Sequence, residues 1–197
     1  MEIFIYNFNF IWFNTFLALI AILFGWLMVK ARSRFTKFLY GFIWFIFLPN
    51  TIYILTDITH LFEDWPKVDN LFRAILILQY GLFAIVGIIT FVIAVYFFQK
   101  LAEGESTSRR KQKMKPVTFL AIIALNFIIG FGVVLGGIER TNSWHIFTNP
   151  SRVLEDSLSL IYSQELLILS IGVGVFANAV YFLMAGTVAT WSKKFSK

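Results

Sequence analysis

Hydrophobic positions along the chain fall into five long runs separated by short polar stretches. Each run extends for about 20 residues without a charge, the length of helix that crosses a hydrocarbon layer about 30 Å thick. They predict five transmembrane helices, at 9–29, 38–56, 71–98, 117–138 and 165–191. The third is longer than a perpendicular crossing needs, so a tilt or a solvated end turn is expected. The predicted fold is all-α, a single polytopic bundle over residues 1–197. The opening "MEIFIYNFNF" has an acid, no base and no small-residue cleavage site after it, so the first span reads as retained rather than as a cleaved signal.

The second run departs from the pattern. "FLPNTIYILTDITHLFEDW", residues 47–65, begins as a membrane span and ends as an acidic loop. On a helical wheel Asn50, Tyr53, Asp57, His60 and Asp64 follow the spacing i, i+3, i+7, i+10, i+14 and fall within an arc of about 80°. Ile52, Ile54, Leu55 and Ile58 fill the other side. Polar atoms facing lipid are costly, so this stripe is expected to face protein or a water-filled recess. Pro49 removes a backbone donor and crowds the carbonyl of Phe45, which predicts a kink. Such a break is tolerated in a membrane where neighbouring helices or a hydrated cavity supply new partners. The plainer alternative is a packing kink with Asp57 and His60 solvated at the interface.

A second polar cluster, "GGIERTNSWHIFTNPSR" at 136–152, follows the fourth run on the same side of the membrane. Asn126, Gly130, Gly137 and Arg140 share a helix face there, which would turn Arg140 toward Asp57 or Asp64. Trp144 suits the interface as an anchor. Asn149 and Pro150 read as N-cap and first residue of a helix, and Val153, Leu154, Leu158 and Ile161 make that helix a short interfacial one. Each predicted span also holds one amide: Asn14, Asn50, Gln79, Asn126 and Asn178. For most of these, hydrogen bonding between helices suffices as an explanation. Ser170, Gly174 and Asn178 form a small-residue stripe for close packing, and Gly132 and Gly136 a small-xxx-small pair.

Charge gives the orientation. The connections after the first and third runs and the tail are basic, and those after the second and fourth each carry a net −2. Thirteen of the 17 Lys and Arg thus fall on one side, which the positive-inside rule makes cytoplasmic, with the N-terminus outside and the C-terminus inside. The basic run "SRRKQKMKP" is a topology signal with some attraction to anionic headgroups, and a nucleic-acid partner is not indicated. Composition agrees: 58% hydrophobic and 14% charged residues are outside the range of soluble domains. The absence of cysteine excludes disulfides, thiolate nucleophiles and cysteine-held metals.

"FLPNTIYILTDITHL" and "LGGIERTNSWHIFTNP" resemble the two signature stretches of a bacterial membrane family, domain of unknown function 1361. The family pattern is close to F-P-N-x-P-Y-x-L-T-D-x-x-H-L followed by L-G-R-x-x-R-x-N-S-W-D. Asn50, Tyr53, Thr56, Asp57, His60, Arg140, Asn142, Ser143 and Trp144 match it. Ile52 stands where a proline is usual, Gly137 where a base is usual and His145 where an aspartate is usual. The resemblance covers about 45–150 and implies a multi-pass protein of a bacterial cell membrane, with no activity attached. The departures count against any mechanism that needs a base at 137 or a carboxylate at 145.

The chemistry open to these residues is narrow. "GVGVFA", 172–177, formally fits a dinucleotide-binding fingerprint, but no strand precedes it and it lies inside an apolar run, so no such cofactor is indicated. Asp57 and His60 would form a general acid–base pair, or two ligands of a divalent metal completed by His145, Asp64 or Glu63. The expected pocket lies between the second and fourth helices, lined by Asn50, Tyr53, Asp57, His60, Arg140 and Asn142 with Trp144 at its rim. It would bind or act on an outer-leaflet lipid or envelope precursor. The competing reading is a transporter, accessory or scaffold subunit that binds a small solute or another membrane protein, although five unlike helices show no inverted repeat.

Overall fold

The computed structural model describes residues 2–56, 59–104 and 114–195; Asp57 and the 108–113 part of the basic run lie outside the described residues. The first helix, α1 (Glu2–Lys30), ends in the basic connection, and Ser33 starts the next by accepting the Thr36 N–H on its Oγ at 3.1 Å. That helix, α2 (Arg34–Phe47), stops at Leu48, and α3 (Pro49–Thr56) carries the chain on past the proline. A short α4 (Thr59–Asp64) and a 3₁₀ turn over Trp65–Lys67 lead into α5 (Asn70–Glu103), the longest element. Next come α6 (Pro116–Gly137), the four-residue α7 (His145–Thr148), α8 (Pro150–Tyr162) and α9 (Gln164–Phe195). No strand occurs among the described residues.

Five segments are long and apolar enough to cross a membrane: Ile11–Lys30, Arg34–Tyr53, Asn70–Glu103, Pro116–Gly137 and Gln164–Thr187. They coincide with the five expected spans, and the chain is a multi-pass helical membrane protein. Within the second span two helices, α2 and α3, meet at the proline, where the sequence predicts a kink.

Consecutive spans run antiparallel, so the connections α3–α5 and α6–α9 share one face with the start of α1. We call this the acidic face, and the opposite one the basic face. The core gathers around α5, where Phe91 and Val95 pack with Leu48 at the α2–α3 junction, Ile52 of α3, Ile122 and Ile129 of α6, and Tyr181 of α9. Trp44 of α2 stacks on Phe98 at 5.9 Å and donates its indole N–H to the Ala94 carbonyl at 3.1 Å. At the basic face the Tyr181 hydroxyl donates to Gln99 at 2.6 Å.

The tightest helix contact joins α6 to α9. A Cβ added at Gly130 would lie 2.4 Å from the Ser170 carbonyl oxygen and 2.6 Å from the Gly174 nitrogen, and one at Gly174 would lie 2.5 Å from the Phe127 ring. Both glycines are needed for this backbone approach, as where small residues drive packing in lipid. The Asn126 Nδ2 donates to Asn178 Oδ1 at 3.0 Å across the same interface. The small-residue stripe of the last span thus packs as expected. Replacing Gly130 by Ala must separate two backbones. It should cost about 1–3 kcal/mol, measured as a lower midpoint of reversible unfolding in mixed micelles; an unchanged midpoint would refute the close contact.

Candidate binding pocket on the acidic face

The proline break leaves polar backbone inside a membrane span, and three side chains meet it. Asn50 Nδ2 donates to the Phe47 carbonyl at 3.1 Å and to Ser143 Oγ at 2.8 Å. Ser143 Oγ in turn donates to the Ile46 carbonyl at 2.9 Å. Thr51 covers the Leu48 carbonyl with its hydroxyl at 2.7 Å. The donors thus fall on the three carbonyls that follow Phe45, at the end of α2. The two motif stretches, far apart in sequence, are joined by this brace.

Ser143 arrives there because the connection after α6 folds back. The Thr141 N–H bonds across six residues to the Leu135 carbonyl at 3.2 Å, with Arg140 between them at φ 54°. Arg140 thus holds a left-handed backbone conformation that glycine adopts more readily. The chain then turns back along the bundle. Trp144 meets Phe13 of α1 edge-on at 5.9 Å, and Phe147 meets Phe42 of α2 at 6.4 Å. His145 closes the small turn: its N–H bonds to the Asn142 carbonyl at 2.9 Å, and its Nδ1 accepts the Asn142 N–H at 3.1 Å. Asn149 caps α8 through the Arg152 N–H at 3.2 Å, with Pro150 as first residue, as the sequence predicts. Asp156 of α8 holds the turn from above. It accepts from the Thr141 hydroxyl and from Arg152, whose other end reaches the Glu139 carbonyl at 3.2 Å.

Between α1, α2–α3, α6 and this returning segment lies a cavity of about 210 Å³. Its polar lining is neutral amides and hydroxyls: Asn14, Asn50, Tyr53, Thr141, Asn142 and Ser143. Apolar walls come from Phe45, Ile46, Ile128, Phe131, Leu135 and Ile146, among others. Missing side chains shape it as much as present ones. A Cβ at Gly132 would lie 2.6 Å from the Pro49 ring, and one at Gly137 3.2 Å from the Tyr53 ring. Glycine at 137 therefore leaves room for Tyr53.

Of the expected pocket residues, Asn50, Tyr53 and Asn142 line the cavity and Asp57 lies outside the described residues. Trp144 packs beside it against α1. His60 does not line it. Its Nδ1 pairs with Glu63 at 3.0 Å on the exposed side of α4. Arg140 does not line it either. The reversal at the end of α6 takes it off the helix face that would have aimed it inward, and its side chain is exposed. Nor does it meet Asp64. That carboxylate, 8% exposed, accepts from Asn7 at 2.9 Å, Lys67 at 2.9 Å and Tyr80 at 3.5 Å, pinning the α4 turn to α1 and α5. His145 holds its own turn. Among the described residues no three His, Asp or Glu side chains cluster as a metal site would require. Sequence reasoning missed Asn14, Thr141 and Gly132 as lining. Asn14 stood out as an amide, but nothing in a single sequence says which span it faces.

Burial of Asp64 pushes its pKa up, yet the hydrogen bonds from Lys67 and Asn7, with the charges of Lys67 and His60, outweigh it and leave it below the usual 3.8. A carboxyl with a lowered folded-state pKa gives stability that is present above its unfolded value and is lost as pH falls through the folded one. Unfolding midpoints should fall below about pH 4 in the parent, and Asp64→Asn should flatten that acid limb; an identical limb in the variant would refute the tie. Ser143→Ala removes the donor to the Ile46 carbonyl and an acceptor for Asn50, and should cost about 1–3 kcal/mol in the same measurement. A neutral result would mean that the brace is not made.

Comparison with known proteins completes the description. Neither curated proteins nor solved structures yield a match. A family model described as "Protein of unknown function (DUF1361)" matches residues 13–180, a span that holds three membrane segments whole, most of the first and last, and both halves of the brace. The chain belongs to the DUF1361 family.

Proposed function

We propose that the protein sits in a bacterial cell membrane with its acidic face outward, and that its pocket binds the polar part of an outer-leaflet lipid or envelope precursor. The charge bias between the two faces supports the orientation. The observation that carries the binding reading is the convergence of six neutral hydrogen-bonding side chains on one cavity with apolar walls. A few placed polar groups in an apolar recess fix and orient a ligand.

Gly136 offers the cleanest test. It lines the cavity, and a Cβ there would meet only the Thr141 carbonyl oxygen, at an ordinary 3.8 Å. Gly136→Leu should fill the pocket without moving its walls. Protein extracted in mild detergent should carry a co-purifying amphiphile by mass spectrometry, reduced about tenfold in Gly136→Leu and unchanged in His60→Ala. Equal retention in parent and Gly136→Leu would contradict the reading, and loss in His60→Ala would restore the dyad.

A further inference from the structure

The geometry points to a lateral mouth that opens the pocket into the bilayer, so that the ligand is a lipid with an uncharged, hydroxyl-bearing head whose chain leaves between α2 and α6. This inference rests on the binding reading above and adds the route and the ligand class.

Three apolar side chains line the cavity and are exposed at the same time: Phe45 at 42%, Ile128 at 50% and Ile146 at 37%. They belong to three elements, α2, α6 and α7. Phe45 also continues the exposed stripe of α2 formed by Phe38 and Phe42, at i, i+4 and i+7. Ile128 continues the exposed stripe of α6 through Val117 and Leu120. Within a membrane span such stripes face acyl chains. The cavity is therefore reached where two lipid-facing surfaces arrive at it.

The proline break explains why a gap exists there. Above it α3 packs on α6; below it α2 packs on α1, and α6 has no extensive contact with α2. The two spans part beneath Pro49, and Ile146 roofs the opening. Size then selects the ligand class. At about 210 Å³ the cavity is smaller than the roughly 300–1,000 Å³ of sites that enclose a whole drug-sized molecule. A lipid can place only its head there, and its chain must continue outside. An apolar mouth at membrane depth suits a chain. Asn14, Asn50 and Asn142 suit hydroxyls through their amide oxygens, which accept, while the hydroxyl hydrogens of Ser143 and Thr141 go to Ile46 and Asp156.

The test uses full-length protein in vesicles of phosphatidylethanolamine and phosphatidylglycerol that hold a diacylglycerol with a photoactivatable diazirine in its chain. Cross-linked peptides are mapped by mass spectrometry. Glucose, followed by ligand-observed NMR, serves as the water-borne probe. Ile128→Trp and Phe45→Trp each narrow the mouth on an exposed surface, so one serves if the other fails to fold by size exclusion. The expected result is labelling concentrated at Phe45, Ile128 and the cavity wall, falling at least fivefold in either tryptophan variant. Cavity labelling unchanged by both variants would overturn the mouth while leaving the binding reading intact. Glucose binding without cavity labelling would overturn the lipid class. Labelling spread evenly over the lipid-facing helices, with no glucose bound, would overturn mouth and binding reading together.

Discussion

A carbonyl inside a bilayer must find a donor, because no water is there to supply one. Most of this chain meets that demand with continuous helix. At Pro49 it does not, and the arrangement of the acidic face follows from how the demand is met. Asn50 and Ser143 give their hydrogens to Phe47 and Ile46, and each also bonds to the other. Ser143 can be at that depth only because the segment after α6 turns back along the bundle. The reversal at Arg140, the His145 turn and the Asp156 clasp serve that return.

The magnitudes show why this matters. Helix-to-helix hydrogen bonds in membranes average about 0.6 kcal/mol, too little to drive a fold. A buried carbonyl left bare costs about 1–3 kcal/mol. The brace therefore acts less as glue than as a condition for having a break at all. The break in turn separates α2 from α6 and leaves space that packing does not close. Elsewhere space is removed deliberately, as where Gly130 and Gly174 bring α6 and α9 into backbone contact.

The five spans and their helical class were legible in the sequence because uncharged length is a one-dimensional property. So was the kink, since proline acts on its own neighbours, and so was the Asn149–Pro150 start of α8. The lining was legible only in part. Asn50, Tyr53 and Asn142 were visible as polar groups in or beside spans. Asn14, Thr141 and Gly132 depend on which helix faces which, and no periodicity carries that. His60 pairs with Glu63 and Asp64 makes a buried tie with Asn7, partners that a single helical wheel does not give. Arg140 was misplaced because a wheel does not know where its helix ends.

The most direct test of the account is a double-mutant cycle between Asn50→Leu and Ser143→Ala, read by reversible unfolding in mixed micelles. If the two motifs are coupled through one shared brace, the double variant should differ from the sum of the singles by about 0.6–2 kcal/mol. Additivity within about 0.3 kcal/mol would mean that the two stretches do not meet, and the pocket built on their meeting would go with them.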